Sequence, residues 1–271
     1  MKLVEPKVEL LSEIGISPES HIARCARVCY GKEYKEPNQE ADKKMVDGLI
    51  KRNHLSMLRH NSAYFVFTNH LPKKFKSEYV NTLSQEDYIY ASTNGQFTLE
   101  HNKVGLNSHT FLKLCRKYPE LFKLYRLTFC ITTQISTSRE LNRVSPNNIA
   151  ERSTRYCSSK DGLEICKPWW YDNDKRGLNQ RDYNQYCRFA EEGYNRLLGS
   201  GMKPEDARGL LPLDTATKVI YTYSIREWQH ILDLRLYDAT GKSHPNCHVV
   251  MQMVKDQINQ FAKENNIDFQ V

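Results

Sequence analysis

Thr215-Ala-Thr-Lys-Val-Ile-Tyr-Thr-Tyr-Ser-Ile-Arg-Glu-Trp-Gln-His-Ile-Leu-Asp-Leu-Arg-Leu236 changes period midway. Its first nine residues, Thr215–Tyr223, are β-branched and aromatic and alternate as a strand does. Ser224-Ile-Arg-Glu227 is then a capping-box pattern opening a helix. Trp228, Ile231, Leu232, Arg235 and Leu236 share one face of it. Arg235 is the odd member of that apolar face. A guanidinium keeps its charge and is costly to bury unpaired. Either its stem carries the head out to water, or it meets an anion or polar ring in a pocket.

Strands and helices alternate irregularly in both directions from this stretch. Ala63–Thr68 (AYFVFT) and Arg126–Ile135 (RLTFCITTQI) read as strands. Residues 20–30, 38–52 and 107–117 read as helices, the second with Ala41, Met45, Val46, Leu49 and Ile50 at helical spacing. Tyr88–Leu99 carries Asn94-Gly95, the strongest two-residue hairpin signal, with a helix and loop as the alternative. Thr137-Ser-Arg-Glu140 has the pattern of a second capping box, with Pro146 placed to stop its helix. A helix over 182–198 ends at Gly199 and Gly201, and Pro204 suits the first turn of another that carries Arg208. Pro245 precedes a last amphipathic helix with Val250, Val254, Ile258 and Phe261 in register. No regular βαβ alternation emerges, which predicts an α+β fold with a mixed or antiparallel sheet flanked by helices. No repeat or linker divides the chain, so residues 1–271 are expected to form a single domain.

Composition narrows the class of function. The 271 residues are 39% hydrophobic, enough for a sizeable core. No apolar run reaches the roughly 18 residues that a spanning helix needs, and the N-terminus lacks an apolar signal segment. The eight cysteines form no CxxC pair, so a cytoplasmic, reduced protein is expected. His244, Cys247 and His248 are too few for a structural zinc site, and a helix start explains them; no metal is expected. The net charge of +7 is spread along the chain and suits anionic small molecules as well as nucleic acid. The aromatics fall at core spacing rather than in a stacking platform, so no nucleic-acid partner is expected.

Glu151-Arg-Ser-Thr-Arg-Tyr156 is the densest polar motif. If extended, it projects Glu151, Ser153 and Arg155 on one face, an acceptor, a hydroxyl and a guanidinium fork suited to a phosphate and a polar ring. If helical, Glu151 and Arg155 make an exposed i,i+4 pair worth a few tenths of a kcal/mol. Arg143 lies upstream, and Arg208 and Arg235 far downstream.

Together these motifs resemble the flavin-dependent thymidylate synthases. The family signature is R-H-R, seven residues, then Ser; here Arg143-Val144-Ser145 is followed by seven residues and Ser153, with Glu151, Arg155 and Tyr156 in register. Ala26-Arg27-Val28-Cys29-Tyr30, the Asn53–His60 block, Ala207-Arg208-Gly209-Leu210-Leu211-Pro212 and Leu232–Leu236 follow in the family's order. Tyr156-Cys157 and Thr240-Gly241-Lys242-Ser243-His244-Pro245 resemble one branch in particular. Five ordered blocks are a specific signal; each alone would be weak.

The resemblance implies methylation of dUMP with FAD, NADPH and methylene-tetrahydrofolate, in a homotetramer with shared active sites and no membrane partner. It assigns dUMP binding to Glu140, Arg143, Glu151, Arg152, Ser153, Thr154, Arg155, Arg208 and Arg235, the last also catalytic through the pyrimidine. It assigns FAD to His54, Ser56, Arg143, Val144, Ser145, Glu151, Ser224, Arg226 and His230. His54 is a candidate for flavin or folate contact.

The flavin half departs from the family. Val144 and Ser145 replace the His and second Arg, Asn148 a Ser, Arg59 an acid, and Ser224 an Asn. Losing one charge-assisted contact costs roughly 1.5–3 kcal/mol, on the order of ten- to a hundredfold in affinity. Two alternatives therefore stand beside dUMP methylation. One is methyl or hydroxymethyl transfer to C5 of another pyrimidine nucleotide. The other is a non-catalytic nucleotide-binding relative that has lost FAD.

Overall fold

The computed structural model describes residues 1–32, 34, 36–143, 148–155 and 162–271. The readings at Val144, Ser145, Pro146, Tyr156 and Cys157 lie outside the described residues.

The described architecture is α+β, with antiparallel sheets flanked by helices. A four-stranded antiparallel sheet runs in the order β2 (Lys7–Leu10), β6 (Arg126–Gln134), β9 (Ala216–Ser224) and β7 (Ile149–Glu151). β6 and β9 pair over nine residues, from Arg126 opposite Ser224 to Gln134 opposite Ala216. Both are buried on both faces, and the two-residue period sorts their side chains. Leu127, Phe129, Ile131, Val219, Tyr221 and Tyr223 join the main core. Cys130 and Ile220 project to a second cluster with Cys25 of α1 (Pro18–Val28) and Ala150. On the first face, α8 (Ile225–Arg235) sets Trp228 edge-on to Phe129 and Tyr223, both about 5 Å between centroids. α9 (Pro245–Glu264) adds Val250, Met251, Val254 and Ile258, all buried.

A second antiparallel sheet orders β3 (Ser62–Thr68), β5 (Tyr88–Asn94) and β4 (Asn81–Gln85). α3 (Gly95–Glu100) and α4 (Ser108–Lys117) pack against it, while α2 (Gln39–Lys51) lies against α1. A short parallel pair joins β1 (Lys2–Val4) to β8 (Glu164–Cys166). α5 (Ile135–Leu141), the 22-residue α6 (Leu178–Gly199) and α7 (Pro204–Ala207) complete the described helices.

The capping box at Ser224 is present, its hydroxyl accepting the Glu227 amide while Glu227 accepts the Ser224 amide. Three readings are corrected. Asn94-Gly95 is no hairpin turn: Asn94 ends β5 and caps α3, accepting the Phe97 amide at 3.0 Å. Gly95 is needed for close approach, since a Cβ there would lie 2.7 Å from the Leu58 carbonyl oxygen. The turn joining β4 to β5 instead uses Glu86, at φ +52°. Thr137 opens no helix, because β6 passes directly into α5; its hydroxyl donates to Gln134 Oε1 at 2.9 Å. That helix ends at Leu141, short of Pro146. Finally, the described part of the Glu151–Tyr156 motif, residues 151–155, is not one extended run. The strand stops at Glu151 and the chain turns at Thr154 and Arg155. The turn arises because the Ser153 hydroxyl accepts the Arg155 amide at 3.2 Å while the Ser153 amide donates to the Cys29 carbonyl.

Candidate active site

α8 folds back along β9, so the arginine at its C-terminal end arrives over α5. There the Arg235 guanidinium meets Glu140 at 3.5 Å, with the two side chains 15% and 23% exposed. This resolves the anomaly of the apolar face in favour of an ionic partner. Arg235 Nε is buried with no hydrogen-bond partner among the described residues, so part of the fork is still available to a polar ligand. Cys247, at the start of α9, lies against the same pair; burial, with Glu140 adding to it, pushes its thiol up. Burial likewise raises Cys25, Cys115, Cys130, Cys166 and Cys187, so none of these six thiols is an activated nucleophile.

Glu151 is held more completely. Its Oε1 accepts from Ser138 at 2.7 Å and Thr217 at 3.1 Å, and its Oε2 from Asn142 at 3.2 Å. Tyr221 donates in turn to Asn142 Oδ1 at 2.7 Å. A carboxylate fixed from α5 and β9 together cannot swing without breaking several bonds, which is the preorganisation a binding group needs. Ser138, Asn142, Thr217 and Tyr221 were not singled out from the sequence. The signal was the i,i+4 spacing of Ser138 and Asn142 on α5, together with Thr217 and Tyr221 on the neighbouring strand.

The remaining nucleotide-side candidates divide. Arg208, just after α7, donates to the Thr154 hydroxyl at 3.3 Å and is exposed. Ser153 and Arg155 sit in the same turn, and Arg143 is exposed just past α5. Arg152 is turned the other way, to Glu164 of β8 at 3.3 Å. Between α5 and α9 opens a cleft of about 190 Å³ lined by Glu140, Trp170, Asp214, His244 and Asn246 among others. His244 caps α9 and His248 pairs with Asp238 at 3.0 Å, so each has a structural partner.

The flavin-side candidates lie elsewhere on this chain. Ser224 is fully buried, its hydroxyl engaged with Glu227. Arg226 reaches the Thr82 carbonyl at 3.0 Å, and His230 is exposed one turn on. His54 and Ser56 are exposed at a 3-10 turn over Leu55–His60. Arg226 and Arg235 stand nine residues apart on one helix, about 14 Å at 1.5 Å per residue. At the N-terminal end of α8 a small cavity is lined by Tyr79, Asn81, Ser92, Arg126, Asn148 and Glu227. Ser92 Oγ, Arg126 Nε and Asn148 Oδ1 are all buried there without hydrogen-bond partners among the described residues. At about 10 Å³ this cavity admits no more than a water, so the donors on this helix that stand open to a ligand are the exposed Arg226 and His230.

Comparison with known proteins agrees with the motifs. The chain is 40% identical over 147 residues to the probable flavin-dependent thymidylate synthase of Paramecium bursaria Chlorella virus 1, covering 49% of this chain and 68% of that one. It is 26% identical over 156 residues to the flavin-dependent thymidylate synthase of Synechocystis, covering 53% and 73%. A shorter match to the Halobacterium salinarum enzyme is 39% identical over 66 residues and spans 27% of that protein. Among solved structures, the UMP/dUMP methylase PolB from Streptomyces cacaoi bound with 5-Br dUMP aligns over 97% of this chain and 93% of its own, at 18% identity and a TM-score of 0.48. The family model described as thymidylate synthase complementing protein matches residues 84–262, a span that contains α5, Glu151, Arg208 and Arg235. The chain belongs to that family.

Proposed function

We propose that this protein is a flavin-dependent thymidylate synthase. It converts dUMP to dTMP with a one-carbon unit from methylene-tetrahydrofolate and two electrons from NADPH passed through FAD. The observation that carries the reading is the Glu140–Arg235 pair: Glu140 lines an open cleft, and the Nε of Arg235 paired to it is buried with no hydrogen-bond partner among the described residues. A uracil carbonyl oxygen is an acceptor of the kind that Nε lacks. A fixed guanidinium there stabilises negative charge developing on the pyrimidine. Glu151, immobilised by Ser138, Thr217 and Asn142, orients the ring by accepting from it. Arg208, Ser153, Thr154, Arg155 and Arg143 gather the phosphate, with Arg152 holding their turn to β8.

FAD, when bound, supplies the reducing equivalent that turns a transferred methylene into a methyl group. His54, Ser56, Arg226 and His230 would hold it, with Ser224 fixing the helix that carries the last two. The separation of these groups from Arg235 along α8 supports a homotetramer in which each site takes residues from more than one subunit.

The test is purification with a visible spectrum and a dUMP titration. A flavin absorption band with dUMP binding is expected. Colourless protein that binds dUMP but takes up no FAD would replace this reading with that of a non-catalytic relative. Flavin-loaded protein that acts on another pyrimidine nucleotide, or yields a hydroxymethyl product, would change the substrate or the transferred group.

A further inference from the structure

A separate cavity of about 320 Å³ opens where the loop before α1 meets the start of β3 and the start of α4. Its size is at the lower end for small-molecule sites. It shares no lining residue with the Glu140 cleft, and none of the nucleotide or flavin candidates lines it. At its buried end is Glu13, whose side chain is only 10% exposed. Glu13 Oε1 accepts from the Ser62 hydroxyl at 2.8 Å and Oε2 from the Ser108 hydroxyl at 2.5 Å, and both serines are buried. These bonds tie the loop to β3 and α4, so the carboxylate is fixed in place.

Glu13 lacks a counter-charge. Among the described residues its one ion-pair partner within 4 Å is His21, at 3.6 Å, and that ring is neutral. Arg24 Nη2 lies 2.6 Å from His21 Nδ1. A guanidinium only donates, so Nδ1 accepts and the ring proton sits on Nε2, 3.2 Å from the Thr128 hydroxyl. Burial, with Arg24 adding to it, holds the His21 pKa well down, and burial raises the Glu13 carboxyl. Both serine hydroxyls already donate to Glu13, so this end of the cavity has lone pairs to offer and calls for a donor. The open end has the opposite charge. Lys103 and His109 are exposed there. Lys74 lies against Lys103, which pushes its ammonium pKa down. None of these three cations forms an ion pair with an acid among the described residues.

We propose that this cavity binds a small zwitterion of the ω-amino-carboxylate class, its ammonium on Glu13 and its carboxylate at Lys103 and His109. The ammonium brings the charge and the hydrogens that the Glu13 end lacks, and a buried carboxylate so paired no longer stands alone. The carboxylate of the ligand neutralises the crowded cations at the mouth. The site is independent of the proposed function, since no group assigned to the nucleotide or the flavin takes part in it.

The experiment titrates 6-aminohexanoate, hexanoate and hexylamine into the full-length protein by calorimetry. Saturable binding of 6-aminohexanoate is expected below about 10 mM, with each single-ended probe weaker by about tenfold or more, the loss of one charge-assisted contact. Glu13→Gln should bring 6-aminohexanoate down to the level of hexanoate. Lys103→Glu, at an exposed position, should lower the affinity for 6-aminohexanoate and raise that for hexylamine. Circular dichroism establishes that each variant is folded; if Glu13→Gln does not fold, the opposite shifts in Lys103→Glu decide alone. No saturable binding by wild type would overturn the proposal. Equal affinity for 6-aminohexanoate in wild type and either folded variant would overturn it too, as would equal affinity of wild type for all three probes.

Discussion

Acid should unfold this protein through His60. Its imidazole is fully buried, with Nδ1 2.9 Å from the Thr222 hydroxyl. Burial, reinforced by the Arg126 and Arg59 guanidinium groups, drives its pKa down from 6.5 to about 3. In the unfolded chain the same group titrates near 6.5. Between those values the unfolded state holds the extra proton, so stability is constant above about pH 6.5 and is lost as pH falls toward 3. At about 1.4 kcal/mol per pH unit, His60 alone removes about 2 kcal/mol by pH 5 and about 5 kcal/mol at the limit. His21 pulls the same way: it too is buried, and its pKa is also pushed well down, by burial and then by Arg24. Glu13 opposes both, because burial raises its carboxyl. Urea unfolding curves at pH 7.5, 6.5, 5.5 and 5.0 should be recorded for wild type and His60→Gln. The variant keeps the Glu13 contribution and alters that of His21 only through its smaller coupling to His60, so most of the difference in slope belongs to His60. A shallower pH dependence in the variant, by about 1 kcal/mol per unit below pH 6, is the expected result. Parallel curves would refute the argument.

Removing the partner of Arg235 by Glu140→Ala should cost about 1–3 kcal/mol, since it leaves a mostly buried cation; a thermal melt with an unchanged midpoint would contradict that. Tyr221→Phe removes a hydrogen bond that helps hold Asn142 against Glu151, so kcat should fall on the order of tenfold, the equivalent of one hydrogen bond, with folding intact. An unaltered kcat would show that Glu151 is positioned without it. Gly95→Ala drives a methyl group against the Leu58 carbonyl and should lower stability by about 1–3 kcal/mol, which chemical denaturation would detect.

What could be read from sequence depended on how local its cause was. The Ser224 capping box and the strand before it follow from residues within a turn of one another, and both are present. Asn94-Gly95 misled because the same two residues that favour a hairpin also favour a helix start, and the deciding contact, the Leu58 carbonyl, lies over thirty residues away. Thr137 misled for a similar reason: β6 already sets the direction of α5 before the capping pattern begins. Arg235 was legible as an anomaly and not as a pair, since Glu140 reaches it only after α8 has folded back across the sheet. For Ser138, Asn142, Thr217 and Tyr221 the spacing was readable and its target was not, because α5 and β9 meet around Glu151 only in the fold.

The central claim is that Arg235 polarises a pyrimidine held over Glu140 and Glu151. Tritium release from [5-³H]dUMP tests it most directly, measured with FAD, NADPH and methylene-tetrahydrofolate for wild type and Arg235→Ala. Release by wild type is expected, with a loss of at least a hundredfold in a folded variant that still binds FAD. Release at the wild-type rate from Arg235→Ala, or none from flavin-loaded wild type, would contradict it.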